Sequence, residues 1–447
     1  VNHTGRILLV GRHFWPLACF DSSGFLVQLA TDLHRAEDRS GHRVEVLTPR
    51  YSASCPERFV YREMVVHRPA MAPRSDWSMG RYVRHLTTWL KTNIQSFDIV
   101  VCDSIREEAL AVVEAAAGSA AKIVLISSQY GSQSDPAWWQ SSRLARRCAG
   151  AANLAHCVVV KDAQSERLLL GKGIAAEKIQ RIPIGFTGSI GLPNELTLGI
   201  LDEADDRKPS GEKTIARRRL GNINTDLRTM PDTPVVVCCG RFQRDSGMDL
   251  LARSARLLIA RYPDLRIWFI GDGPNRHSMH DFVRGDGVRN SISMPGSFND
   301  LSDVYTAADV YVQADEDGLD SFLPTAVSAA LPIVAIDTPA VRSVLGMNRS
   351  AIGNASIGNE KIGNGPNLAR LFSGATTKSL RAGLREILDD LPAGRAKAIE
   401  LKRHLLRTRP QSQVIESYLD LFQRLKRSSD SPKRSNRSSN SSIEAAS

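Results

Sequence analysis

Two successive series of short apolar runs, each alternating with helical patterns, limit what this chain can fold into. The first series has strand candidates at 7–10, 44–47, 99–102, 123–126 and 158–160, with helical spacing at 24–35, 107–117 and 163–170. The second has strand candidates at 235–239, 265–270, 291–294, 310–313 and 333–336. Helical patterns at 248–261, 277–283, 301–308 and 323–330 lie between them. Strands that alternate with helices build a parallel sheet covered on both faces. The expectation is therefore an α/β chain with two doubly wound, Rossmann-like domains in tandem. Ligands of such sheets bind beyond the carboxyl ends of the strands.

The chain has 447 residues, more than one hydrophobic core usually spans. The alternation breaks in a polar, charged stretch containing Arg217, Arg218 and Arg219. The predicted division is 1–190 for the first domain, 191–231 for a linker or insertion, and 232–409 for the second domain. A late helix, 413–425, carries Val414, Ile415, Tyr418, Leu419 and Phe422 on one face and needs a partner surface. Residues 428–447 are rich in Ser and Asn and cannot build a core. Ile-Gly-Asn recurs three times within 352–364, too briefly for a solenoid.

Several function classes are disfavoured. No apolar run approaches the ~18 residues of a membrane span, and the first residues do not read as a signal peptide. The seven cysteines form no CxxC pair, which suits buried thiols in a cytoplasmic protein. Histidine spacing offers no zinc motif, and no metal is expected. A net charge of +10 suits a sugar nucleotide, an anionic lipid surface or a nucleic acid. No nucleic-acid motif is present, so that partner is set aside. Peripheral contact with the inner membrane face rests only on the basic residues near the end of the chain.

The second half carries four segments in sequence: VVVCCGRFQRDSGMDLLARSARLL, RYPDLRIWFIGDGP, GSFNDLSDVYTAADVYVQ and DEDGLDSFLPTAVSAALPIVAID. Together they resemble the glycosyl transferases group 1 domain of glycosyltransferase family four, from about 234 to 344. The last segment is similar to that family's "EGFG…EAMAAGLPVVA". RILLVGRHFWPL, LATDL and VEVLTPR resemble the opening of its acceptor-side domain more loosely. The resemblance implies the GT-B fold, in which two such domains face a cleft and a final helix, here about 410–427, crosses back to the first. It implies transfer of a hexose-like sugar, with retention, from a nucleotide-diphosphate donor to a glycan, lipid or small-molecule hydroxyl. It also implies that no metal is used.

Such a transfer leaves charge on a departing diphosphate, which a cation must stabilise. Arg241, after Gly240, falls in the family's "GR" turn and is the candidate clamp. Asp317 aligns with the first motif glutamate and is the second candidate catalytic residue. Ser246 stands where the family has Lys, and Arg244 is near enough to substitute. Thr325 stands where the family has its second Glu. The candidate donor site is completed by Gly271, Asp272, Gly273 and Gly318. The main-chain amides of Ser321, Phe322 and Leu323 are expected to cradle phosphate at a helix start. On the acceptor side the candidates are Asp21, Ser22, Ser23, Gly24, Tyr130 and Gly131. Trp138 and Trp139 offer either sugar stacking or core packing. The replaced donor contacts keep open an alternative, a non-catalytic GT-B protein that binds a nucleotide, a glycan or a partner.

Overall fold

The structure is a computed structural model and describes residues 5–15, 22–36, 41–188, 209–298, 300–347 and 368–430. Asp21, the Ile-Gly-Asn repeats and residues 431–447 lie outside the described residues. The first sheet contains β1 (Gly5–Val10), β2 (His42–Leu47), β3 (Arg58–Tyr61), β4 (Met64–His67), β5 (Ile99–Cys102), β6 (Lys122–Ile126), β7 (Cys157–Val160) and β8 (Ile179–Arg181). Its order is β3-β4-β2-β1-β5-β6-β7-β8, and only β3 runs antiparallel to its neighbour. The second sheet contains β9 (Val235–Cys239), β10 (Arg266–Ile270), β11 (Ile292–Gly296), β12 (Val310–Gln313), β13 (Ile333–Ile336) and β14 (Arg370–Phe372). Its order is β11-β10-β9-β12-β13-β14, all parallel.

The central strands are apolar at successive positions because helices cover both faces. β5, β7 and β9 are buried throughout. In each sheet the strand order reverses beside the first strand, at β1–β5 and at β9–β12. These reversals open the crevices in which doubly wound sheets bind ligands.

Several elements were not foreseen. β3 and β4 form a hairpin whose two turn residues, Arg62 and Glu63, both have positive φ, 46° and 68°. That is the backbone of a type I′ turn, built here without the Asn-Gly pair that would announce it. The stretch expected as linker contains a helix, Pro209–Ile223. Ala216 and Leu220 are buried in the second domain's core, and Arg217 donates to Ala307 O at 3.0 Å and Asp309 Oδ2 at 2.9 Å.

The late helix spans Gln411–Asp430. Val414, Ile415, Tyr418, Leu421 and Phe422 are buried in the core formed by β1, β2 and the helix Ser22–Arg35. The final helix therefore crosses back and completes the first domain. The crossing is tied to the earlier one by main chain. Phe186 N donates to Arg409 O and Gln411 N donates to Phe186 O, both at 3.0 Å. The Arg409 guanidinium lies 5.1 Å from the Phe186 ring centroid and donates to Ser343 O and Val344 O.

Ala330 closes the helix Phe322–Ser328 with φ at +52°. Ala330 N donates to Val327 O, and Leu331 N donates to Ala326 O. The family motif has Gly at this point, the residue that best tolerates left-handed backbone. We expect Ala330→Gly to raise stability by about 1 kcal/mol. Urea denaturation checks this, and a loss of stability would show that the methyl's packing outweighs the strain.

Candidate functional site

The second domain's site is built on the turn after β9. Gly240 N donates to Ile270 O at 3.1 Å, and Phe242 N donates to Asp272 O at 3.0 Å. The turn after β9 is thus laced to the turn after β10. A side-chain carbon on Gly273 would lie 2.5 Å from Phe242 O, so this glycine is needed for the close approach of two backbones. Gly271 N donates to Gly296 O at 2.9 Å. Asp272 accepts from the Gly273 amide and lies 3.8 Å from the Arg276 guanidinium. These contacts account structurally for Gly271, Asp272 and Gly273.

Arg241 is exposed, and among the described residues its guanidinium has no hydrogen-bond or ion-pair partner. Its main-chain N donates to Asp317 Oδ2 at 3.4 Å. Its charge acts on His13 of the first domain as well as on Asp317. The structure therefore brings Arg241 and Asp317 together beside the first domain. Burial, with help from Arg12 and Arg241, pushes His13 down to about 4, so this ring is neutral near pH 7. The Tyr51 hydroxyl fixes its position, 2.6 Å from His13 Nδ1.

Other expectations are corrected. Ser246 caps the helix Gly247–Arg261: its hydroxyl donates to Gln243 O at 2.9 Å and accepts from Asp249 N at 3.4 Å. That hydroxyl is committed to the fold. Arg244 is exposed and ion-pairs with no described residue. The Thr325 hydroxyl donates to Ser321 O at 2.7 Å within its own helix. The amides of Ser321 and Phe322 donate to Gly318 O at 3.2 and 2.9 Å, so they do not form the free phosphate cradle that was expected. Leu323 is fully buried core. Gly318 has φ at +66°, and a side-chain carbon there would strike the Phe322 ring at 2.2 Å.

On the acceptor side, Ser22 and Ser23 open the helix Ser22–Arg35, and a carbon on Gly24 would lie 3.4 Å from Ser321 Cβ. Tyr130 was expected to line an open cleft. It is instead 6% exposed and packs with Ile184 and Phe186 against the second domain's core. Its apolar ring gains more by burial than by facing solvent. Gly131, φ +55°, faces Glu316, whose Oε2 would lie 2.5 Å from an added carbon. Trp139 is core, donating from Nε1 to Ile105 O, while Trp138 is partly buried beneath Arg106.

Sequence reasoning missed Lys161 and Asp103. Lys161 Nζ donates to Asp320 Oδ2 at 2.7 Å across the domain boundary. Lys161 and Asp103 each follow directly on a parallel strand, β7 and β5, the position that signals a site in such sheets. Among the described residues no group of three or more His, Cys, Asp or Glu could hold a metal.

The family described as Glycosyl transferases group 1 matches residues 233–357, and the Glycosyl transferase 4-like domain matches residues 27–185. The second half of the chain thus belongs to the glycosyl transferases group 1 family. This group 1 chain is 32% identical over 88 residues to the lipopolysaccharide core biosynthesis glycosyltransferase LpsE of Rhizobium meliloti, a match covering 20% of the chain and 25% of the relative. Matches to the curated relatives span between a fifth and about half of those relatives' length. Among solved structures, sucrose-phosphate synthase from Thermosynechococcus elongatus superposes with a TM-score of 0.69 at 16% identity, covering 95% of this chain and 100% of that one. The Anabaena protein HepE, solved with UDP and glucose, superposes with a TM-score of 0.66 at 12% identity, covering 93% and 99%. At these identities the likeness establishes the fold. The group 1 chain is GT-B.

Burial pushes the Asp317 carboxyl up to about 6, and Asp315 adds to the rise against the Arg241 amide. A folded pKa above the unfolded ~3.9 means that the folded state binds this proton more tightly. The group's favourable contribution is therefore full below pH ~4 and lost as pH rises through about 6. Asp317→Asn is expected to be more stable than wild type at pH 8 by on the order of 2 kcal/mol. The difference should shrink toward pH 4 in urea denaturation. A constant difference would mean that the carboxyl titrates normally.

Proposed function

We propose that the chain transfers a hexose-like sugar from a nucleoside-diphosphate donor to a hydroxyl of a glycan, lipid or small-molecule acceptor, retaining anomeric configuration. The observation that carries this reading is Arg241: an exposed guanidinium, unpaired among the described residues, at the carboxyl end of β9, beside the strand-order reversal and within electrostatic reach of the first domain. As the bond from the anomeric carbon to the diphosphate oxygen breaks, negative charge grows on the leaving group. A planar guanidinium can bind two of its oxygens at once. In this reading Arg241 supplies the charge that a divalent cation supplies elsewhere, and no metal is needed. Asp317 accepts hydrogen bonds from nucleotide hydroxyls when ionised. The name of the relative LpsE supports an acceptor of glycan or glycolipid type.

The alternative is binding without transfer. It is favoured by Ser246 and Thr325, whose hydroxyls are spent inside the fold. Calorimetric titration with UDP, ADP and GDP separates the outcomes. Wild type is expected to bind at least one, and Arg241→Met to weaken that binding by roughly tenfold or more. If no nucleotide binds at millimolar concentration, the transferase reading fails. Binding without sugar release from any donor would favour the alternative.

Peripheral membrane contact belongs to the same proposal. Among the described residues no helix is long and apolar enough to cross a membrane. The helix Asp76–Asn93 presents Trp77, 82% exposed, with Arg81 stacked 5.2 Å from its ring centroid and Arg84 and Lys91 exposed. An amphipathic aromatic beside cations suits an anionic lipid surface. The chain is expected to co-sediment with phosphatidylglycerol vesicles and not with phosphatidylcholine. Trp77→Ala combined with Arg81→Ala should release it, and equal sedimentation of both proteins would remove this surface from consideration.

A further inference from the structure

Five polar side chains meet where the two domains touch. Asp103 follows β5, Tyr130 lies beyond β6, Lys161 follows β7, and Asp320 and Ser321 lie beyond β12. The Lys161–Asp320 ion pair, 2.7 Å long, has side chains only 3% and 1% exposed. The Lys161 ammonium also lies 4.0 Å from the Phe25 ring centroid. Asp103 is within electrostatic reach of both members of the pair, and Tyr130 within reach of Asp320. One oxygen of Asp103, one of Asp320 and the hydroxyls of Tyr130 and Ser321 are buried with no hydrogen-bond partner among the described residues. Such atoms are uncommon in folded proteins and call for an explanation. Four of them lie beyond the carboxyl ends of strands where the domains meet, and Asp320 is within electrostatic reach of Asp317.

An occupant that satisfies them must donate a hydrogen bond to the free Asp320 oxygen. A negative charge gains nothing there, because Asp320 already pairs with the one ammonium and burial disfavours ionisation of Asp103. Phosphate fails on both counts, and the hydroxyls of a sugar ring satisfy both. Asp320 takes the place of the last glycine in the "EGFG" stretch that DGLD resembles. A glycine offers only main chain there, whereas Asp320 adds an acceptor. The ion pair joins the two domains, so any parting that admits a donor uncovers it.

We propose that Asp320 is a specificity-determining residue for the donor's sugar: its unpaired oxygen accepts from a sugar hydroxyl, and Lys161 is the positioning residue that holds it. Asp103, Tyr130 and Ser321 complete the polar lining. The proposal rests on the nucleotide-sugar reading above. It is tested on the full chain by calorimetric titration with UDP, ADP and GDP and with their glucose conjugates. The readout is the ratio of sugar-nucleotide to bare-nucleotide affinity. Asp320→Asn and Asp320→Gly are expected to lower that ratio by about tenfold, with bare-nucleotide affinity changed less than about twofold. Lys161→Met should lower it likewise, and Lys161→Arg should restore much of it. Circular dichroism establishes that each variant is folded, and the isosteric Asp320→Asn serves if the glycine variant is not. An unchanged ratio, or equal losses for nucleotide and conjugate, would overturn the proposal and leave the pair as a tie between domains. If wild type binds nucleotides but gains nothing from the sugar, the proposal fails while the nucleotide site stands. If wild type binds no nucleotide, both fall.

Discussion

The cleft depends on the point where the chain passes twice between domains. Phe186 and the segment Arg409–Gln411 are paired through their main chains, and the Arg409 guanidinium clamps the pair to Ser343 and Val344. Buried peptide groups must find partners. Here each crossing satisfies the other, so the two passages form one joint. The Gln411–Asp430 helix then fills the first domain's core, which fixes how the carboxyl ends of the two sheets confront one another.

What confronts across that joint is unequal in charge. The second domain brings Asp315, Asp317 and Asp320 toward the boundary, and burial disfavours ionisation of the first two. Arg241 and Lys161 oppose them from different sides. Lys161 is neutralised by Asp320 and buried, while Arg241 is exposed and has no ion-pair partner among the described residues. One cation is thus built into the closed boundary and the other remains available to an incoming anion. That division follows from desolvation: a buried charge needs a partner at once, and an exposed one can wait for a ligand.

Much of the architecture was legible because its signal is local. Successive valines at 158–160 and 235–237 read as strands covered on both faces, and the apolar face of 413–425 announced an absent partner. The β3–β4 hairpin was not legible, because Arg62 and Glu63 take left-handed backbone that their identities do not encode. The helix Pro209–Ile223 was hidden by its charge: Ala216 and Leu220 enter the core, and the charged Arg217 is buried beside them. At the site, Arg241 and Asp317 were found through the segments that resemble the family, and the structure sets them side by side. Ser246 and Thr325 were read as departures, and what their hydroxyls do in the fold required coordinates.

The sequence by itself determined two doubly wound domains, the order of their motifs and the strand ends near which chemistry belongs, because periodicity and turn chemistry act over a few residues. Tertiary structure alone decided that Tyr130 is interface core and that the Ser321 and Phe322 amides are already bonded. It alone paired Lys161 with Asp320 across 159 positions of chain. Contacts between residues so far apart are set by how two finished domains dock, and no local pattern carries that information.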